Sequence, residues 1–409
     1  MLCTSIQVVK GKNQFMNVRI AIIGVGKVGL ATAQVYSHNA TLTLFDLKKR
    51  IPQIKRDLTH LNTALVRVTS SEMILLRNDV FFFCLPTDYN QSVSDLDTDI
   101  LFHYLYLLQE HRRLHQRYSK PTVIIRSTLP FYAVTKLEEF KNTLNVYYMP
   151  EFFTEGNELE QSLKPNQLVI GTEASGKWLK SFIKQCTTLD RNIPLYFTTL
   201  KEAVLVKLAM NTYLSMRIAF FNELASFAAD QDGIHIPTVI GLMGKDSRIG
   251  SRYNNPSFGF GGYCLPKDTL SLANAFYSYN NVLIKNIPKS NDHLFQSIVD
   301  EIVRYHPIFK SDGTKTVIGV YKLGNKKGSD NPKGSVSLRL AKALQDKDYE
   351  LLVYDPEHEK NKAFSHLTFS YELIAFKEKC DLILANRIDQ NLKGVENKLF
   401  TRDAGLLDI

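Results

Sequence analysis

No two cysteines in this 409-residue chain lie close enough to form a metal clip or a redox turn. The five are Cys3, Cys84, Cys186, Cys264 and Cys380, an odd number without a CxxC pair. That spacing argues against a disulfide scaffold and against a zinc site, and it fits a reducing cytoplasm. Long apolar runs are also missing. The best, near Asp79–Pro86, falls far short of the roughly 18 residues a membrane span needs, so no membrane partner is expected. Glycine (21) and proline (14) are too few for a collagen-like or low-complexity chain. Residues 1–15 lack the apolar core of a signal peptide. A strand-like run begins at Val18, so 1–15 read as an N-terminal extension, with Met16 as a natural start.

What is present is ordinary globular material, 44% hydrophobic and 22% charged, with ample apolar surface to offset the entropy of ordering. Lys and Arg number 50 against 41 Asp and Glu, a net charge of +9. This excess permits any anionic partner, from nucleic acid to a phosphorylated small molecule. The basic clusters Lys48–Arg56 and Arg112–Lys120 are interleaved with apolar residues at helical spacing. They read as solvated helix faces, and no nucleic-acid motif accompanies them, so no nucleic-acid partner is expected.

The first region alternates strand and helix signals. Val18–Ile23, Thr41–Phe45, Val80–Cys84 and Thr122–Ile125 are short, non-alternating apolar runs, the pattern of a parallel sheet covered on both faces. From Leu200 to Asp232 there is hardly a helix breaker, and Gly233 supplies the stop. A helix of about 30 residues is roughly 45 Å long, enough to bridge domains and to offer a subunit contact. The last region repeats the alternation, with strands at Thr316–Tyr321, Tyr349–Tyr354 and Leu382–Ala385 and a helix at Ser335–Gln345. It reads as a second dinucleotide-fold half without the glycine fingerprint. The expected fold is therefore α/β, two Rossmann-like lobes with parallel sheets joined by a long central helix. The segments are 1–15, 16–197, 198–300 (central, with the cysteine loop) and 301–409.

Gly24, Gly26 and Gly29 follow the first strand and open a helix. Asp46 ends the second strand, 22 residues after Gly24 and 17 after Gly29. In that context the first glycine serves the tight turn, the second lets backbone approach a pyrophosphate, and the third allows close helix–strand packing. Asp46 would take the adenosine ribose hydroxyls and repel a 2′-phosphate, which favours NAD. Lys48, Lys49 and Arg50 could receive such a phosphate, but the acid at the strand end is better placed.

The segment Tyr253–Thr269 is rich in glycine (259, 261, 262) and aromatic residues, and Pro266 suits a first helical turn. Cys264 would sit just before that helix and close to Lys267. Both surroundings favour the thiolate, which is the attacking form, so Cys264 reads as a nucleophile. Lys207 and Asn211 share one face of the long helix. Periodicity leaves two readings of them open, a snorkelling surface lysine with its neighbour or a pair that stabilises an oxyanion.

These residues resemble the UDP-glucose/GDP-mannose dehydrogenase family, from about Met16 to Asp403. The resemblance is carried by Gly24, Gly26, Val28 and Gly29, by Leu85–Tyr89, Arg126–Thr128, Met149–Phe152 with Glu155 and Gly156, and Leu168–Gly171. It continues through Lys207 with Asn211–Leu214, Phe220–Glu223, Arg248–Gly250, Asn254–Thr269, Lys327–Asn331 and Thr401–Asp403. Asn254–Thr269 is the most specific of these, and within the family it resembles the branch acting on UDP-glucose.

The resemblance implies an NAD-dependent, four-electron oxidation of UDP-glucose to UDP-glucuronate through a Cys264 thiohemiacetal and thioester. Lys207 and Asn211 would stabilise the C6 oxyanion. Asp268 and Glu151 would move protons and direct the hydrolytic water, work suited to a carboxylate titrating near neutrality. Thr128 and Glu155 would border the reacting centre and the cofactor, Thr87 and Arg50 would contact the cofactor, and Lys267 would bridge towards the nicotinamide side. Tyr253, Asn254, Ser257, Gly261 and Lys326 would line the nucleotide-sugar site, and Arg248 would reach the partner's substrate in a homodimer. Some positions depart from the family pattern. Leu129–Tyr132 replaces Val-Pro-Val-Gly after Thr128, Thr154 and Gln167 stand where arginines are common, and the stretch from Asp46 to Cys84 is short. No cofactor-holding arginine occurs around Asn286–Asn291. A sibling nucleotide-sugar dehydrogenase and a non-catalytic nucleotide-binding scaffold remain the alternatives.

Overall fold

The computed structural model describes residues 18–37, 40–58, 65–114, 120–154, 156–324, 334–359 and 361–406. The expected extension 1–15, Glu155, Lys326 and the Lys327–Asn331 motif lie outside the described residues. The chain divides into two compact units, Met1–Lys207 and Leu208–Ile409. The division expected at 197/198 and 300/301 is finer than this.

Unit 1 is built on an eight-stranded sheet. Its strands are β1 (Arg19–Ile23), β2 (Thr41–Phe45), β3 (Val66–Thr69), β4 (Val80–Phe83), β5 (Thr122–Ile125), β6 (Asn145–Tyr148), β7 (Leu168–Gly171) and β8 (Leu195–Thr198). They lie in the order β8-β7-β6-β5-β4-β1-β2-β3. Ile20, Ile22, Phe81, Phe82, Val123 and Ile124 are buried, because successive residues of a strand point to opposite faces of the sheet and both faces are covered. Pairing is parallel except where β7 meets β6, Tyr148 facing Gly171. The sheet is thus mainly parallel, as expected, with β7 and β8 together running against the other six strands. The chain leaves β1 towards β2 on one side and returns to β4 on the other. That reversal opens a crevice at the carboxyl ends of β1 and β4, the usual place for a ligand in such sheets.

Helix α1 (Lys27–Tyr36) follows β1, and α2 (Asp99–Leu114) and α3 (Lys177–Cys186) come later in unit 1. Helix α4 (Leu200–Ala229) is the expected long helix and carries the chain from unit 1 into unit 2. By length and composition it could cross a membrane, yet it bears Lys207 and Asn211, each held by a carboxylate.

Unit 2 continues with α5 (Ile236–Gly244), α6 (Cys264–Ala275) and α7 (Leu283–Tyr305), then a four-stranded parallel sheet. Its strands β9 (Val317–Tyr321), β10 (Glu350–Tyr354), β11 (Leu382–Ala385) and β12 (Leu399–Phe400) lie in the order β10-β9-β11-β12. Helices α8 (Val336–Gln345) and α9 (Leu373–Lys379) complete it. Ser335 caps α8, its Oγ accepting from Leu338 N at 3.0 Å.

The turn after the first strand of each sheet is built in the same way. Gly24 N donates to Phe45 O at 3.0 Å, and Lys322 N donates to Tyr354 O at 2.9 Å. Both residues are left-handed, Gly24 at φ +89° and Lys322 at φ +60°. Two residues after each strand, Val25 N donates to Asp46 Oδ2 and Leu323 N to Asp355 Oδ2, both at 2.8 Å. The second lobe therefore keeps the dinucleotide turn with a lysine in the glycine position. A side chain in that conformation costs about 1–2 kcal/mol. The Lys322 ammonium is tied to Asp389 at 2.8 Å, which anchors the strained residue.

Candidate active site

In unit 1 the glycine turn is as tight as its sequence requires. A Cβ on Gly24 would lie 2.6 Å from Cys84 O, and one on Gly29 would lie 2.1 Å from Gly24 O. Neither position admits any other residue without moving backbone. Beyond Gly26 there is open space, so a ligand can reach the backbone there. Gly26 precedes α1 and no side chain caps that helix, which leaves its first amides for an anion. These features fit a dinucleotide. Thr87 and Thr128 are both buried in unit 1.

Asp46 is held more firmly than its sequence position suggested. Oδ1 accepts from Leu47 N at 2.7 Å, while Oδ2 accepts from Val25 N at 2.8 Å and from Arg50 Nη1 at 3.1 Å. Arg50 also donates to Val25 O at 3.2 Å. The acid at the end of β2 thus braces the turn, with Arg50 across it.

The second cluster in unit 1 joins Lys207 to Glu151. Lys207 is 2% exposed, and its Nζ donates to Glu151 O at 2.7 Å and to Glu151 Oε1 at 2.9 Å. The ammonium also lies 5.5 Å from the Phe152 ring centre. Lys207 is therefore no snorkelling surface residue. Phe153 N donates to Glu151 Oε2 at 2.8 Å, and the Arg126 guanidinium stacks 5.7 Å from the Phe153 ring centre. Burial pushes the Glu151 carboxyl upward, but Lys207, the Phe153 amide and Arg126 outweigh it and hold the group below the ordinary glutamate value. This differs from the expected carboxylate titrating near neutrality. As placed here, Glu151 is ionised and orients the Lys207 ammonium and the Phe153 amide.

In unit 2, Cys264 is the first residue of α6, one position further in than expected, and is half-buried. Pro266 falls in the first turn, where its missing N–H goes unneeded. Lys267 stands three residues on, in the same helix. Its ammonium is committed to Asp268 Oδ1 at 2.8 Å and lies 5.2 Å from the Tyr263 ring centre. Asp268 is 0% exposed, and its Oδ2 accepts from Asn211 Nδ2 at 2.6 Å. A buried ammonium takes the nearest carboxylate, and here that carboxylate is its chain neighbour.

The loop before Cys264 surrounds a cavity of about 50 Å³ that Tyr253, Ser257 and Gly261 line. Tyr253 is left-handed at φ +60°. Asn254 instead faces Arg217, accepting from its Nε at 2.8 Å. Arg248 is exposed and paired with its own neighbour Asp246 at 2.6 Å. It borders a larger groove of about 480 Å³ that includes Tyr213, Phe220 and Leu283.

Two residues that the sequence reading missed, Asn386 and Arg387, also line the small cavity. Arg387 Nη1 donates to Pro256 O at 2.7 Å, and Asn386 Oδ1 accepts from Phe258 N at 2.9 Å. Their signal was present, because a polar pair directly follows a buried parallel strand, where such sheets bind ligands.

Comparison with known proteins agrees with this arrangement. Residues 18–184 match the NAD binding domain of the UDP-glucose/GDP-mannose dehydrogenase family, and residues 201–293 match its central domain. A UDP-glucose 6-dehydrogenase of Campylobacter jejuni is 33% identical over 96% of this chain and 100% of its own length. One from Streptococcus pneumoniae is 28% identical over 94% and 98%. Among solved structures, a UDP-glucose dehydrogenase of Pyrobaculum islandicum superposes with a TM-score of 0.79 at 21% identity, covering 97% of this chain and 96% of that one. The glycine turn of unit 1, the long helix and these matches together place the chain in the UDP-glucose/GDP-mannose dehydrogenase family, with NAD as its cofactor.

Proposed function

We propose that this chain oxidises UDP-glucose to UDP-glucuronate at the expense of two NAD. The observation that carries the reading is Cys264 at the head of α6, behind a glycine-rich loop and four residues before a buried, doubly bound Asp268. The UDP-glucose 6-dehydrogenases of Campylobacter jejuni and Streptococcus pneumoniae, similar over nearly the whole chain, support the substrate. When bound, NAD supplies the hydride acceptor for each of the two oxidations. The C6 hydroxyl loses its proton and C6 a hydride, which leaves an aldehyde. The Cys264 thiolate then adds to C6, giving a thiohemiacetal whose oxyanion Lys207 and Asn211 stabilise. Loss of the second hydride leaves a thioester. Water attacks it, the thiolate departs, and uronate is released. One alcohol and one water thus give one carboxylate, two hydrides and three protons. Glu151 and Asp268 accept and return those protons, and Thr128 borders the reacting centre.

In this reading Gly24, Gly26, Val28, Gly29, Asp46, Arg50, Thr87, Glu155 and Lys267 serve the cofactor. Tyr253, Asn254, Ser257, Gly261 and Lys326 serve the nucleotide sugar, with Asn386 and Arg387 added. Residues 16–197 form the cofactor segment, 198–300 the central one and 301–409 the sugar-nucleotide one. The test is stoichiometry. Two NADH per UDP-glucose are expected, and one NADH with a released aldehyde would sink the four-electron mechanism. A panel of nucleotide sugars separates UDP-glucose from its siblings.

The reading includes a homodimer in the cytoplasm, with Arg248 reaching the partner's substrate. Support comes from the exposed Phe220, Phe227 and Leu242 and from the 480 Å³ groove beside Arg248. Phe220→Glu is expected to shift sedimentation from dimer to monomer. An unchanged sedimentation coefficient would place the contact elsewhere.

A further inference from the structure

The loop that leads to Cys264 is held by side-chain amides where a strand partner would otherwise stand. Ser257 N donates to Asn222 Oδ1 at 2.8 Å, and Phe258 N donates to Asn386 Oδ1 at 2.9 Å. Asn291, buried on α7, does more. Its Oδ1 accepts from Phe260 N at 2.8 Å and its Nδ2 donates to Phe260 O at 3.1 Å. One planar amide therefore gives Phe260 the donor and the acceptor that a neighbouring strand would supply.

The fit leaves no slack. Gly259 has φ +123°, and a Cβ there would lie 2.6 Å from Asn291 Oδ1. Gly259, Phe260 and Gly261 all border the 50 Å³ cavity. On the far side of that segment, Gly262 N donates to Gly334 O at 2.9 Å. The short stretch 259–262 is thus pinned from α7 and from the approach to α8, with both pins on the backbone. A ligand that lies against these glycines meets a conformation fixed in advance, which spares it the cost of ordering the loop.

We propose that Asn291 is a positioning residue for the nucleotide-sugar site, setting the backbone of Gly259–Gly261 through Phe260 without itself touching the ligand. The proposal rests on the reading above for the nature of that ligand. An apolar filler at 291 would leave a buried N–H and C=O unpaired, and a carboxylate would keep the acceptor while turning an oxygen towards Phe260 O.

Full-length Asn291→Asp and Asn291→Ala test this by steady-state kinetics, calorimetric binding of UDP and fluorescence titration with NADH. Asn291→Asp is expected to raise KM for UDP-glucose and Kd for UDP about tenfold at neutral pH, leaving the NADH affinity within twofold of wild type. Asn291→Ala, which leaves room for water beside Phe260, should move both constants in the same direction by about threefold. If Asn291→Asp does not fold, Asn291→Ala decides by the same criteria. KM and Kd within a factor of 1.5 of wild type in Asn291→Ala overturn the inference, as does an equal loss of NADH affinity, which marks general damage. A wild type that binds neither UDP nor UDP-glucose overturns the inference and the functional reading together. Wild-type binding with unaffected variants overturns the inference alone.

Discussion

Cys264→Ser is expected to lower uronate formation by at least about 10³-fold, while UDP-glucose and NADH still bind within about threefold of wild type. The change keeps the shape of the side chain at the head of α6 and removes only the soft, readily ionised nucleophile. A serine hydroxyl at neutral pH has no appreciable anion, and among the described residues no histidine lies in the cavity lining to act as its base. The first oxidation does not use the sulfur, so an aldehyde-level product should accumulate or leak. Acid-quenched mass spectrometry gives the direct reading. Wild type under turnover should carry a uronyl thioester on the peptide containing Cys264, and the variant should not. Steady uronate production by the variant at more than a tenth of the wild-type rate would remove Cys264 from the mechanism.

Asp268→Asn should cost stability as well as turnover. Asp268 is wholly buried between the Lys267 ammonium and the Asn211 amide, at 2.8 and 2.6 Å. Neutralising it leaves an ammonium that is 5% exposed without its counter-charge. Removing one partner of a buried pair costs about 3–5 kcal/mol. For a unit of this size that lowers the thermal midpoint by roughly 10 °C. The new amide also faces two donors where the carboxylate accepted from both, so Asn211 loses the partner that orients it. Turnover is expected to fall at least about 100-fold. A double variant, Asp268→Asn with Lys267→Met, should recover much of the midpoint but none of the turnover. Recovery of both would make the pair a structural device only, and a midpoint within 2 °C of wild type in the single variant would refute the assigned ion pair.

The strands of both sheets were legible because a strand covered on both faces must be apolar at every position, as Ile20–Ile23 and Leu382–Ala385 are. The glycine turn was legible for a steric reason, since only glycine fits against Cys84 O. Side-chain commitment was harder to read. Lys267 stands three residues from Cys264 and one from Asp268, and sequence alone does not say which neighbour receives the ammonium. Glu151 and Lys207 are 56 positions apart, so the pairing that holds the carboxyl low could not be read from spacing. Asn386 and Arg387 meet the cysteine loop across about 130 residues, beyond the reach of any local pattern. Asn291 was passed over because an asparagine within a helix carries no motif, and its partner is backbone.

The turn that occurs once in each unit bears on how this enzyme could be re-engineered. In unit 2 the acid after β10, Asp355, holds Leu323 N and is itself covered by His358 at 2.9 Å. It braces a turn that has no glycine fingerprint. The same hydrogen bond made by Asp46 is therefore architecture first and discrimination second. Swapping Asp46 to alter dinucleotide preference would withdraw that brace along with the charge. A redesign for a phosphorylated cofactor does better to leave Asp46 in place and recruit Lys48 and Lys49, which already lie exposed on the solvent side of the turn.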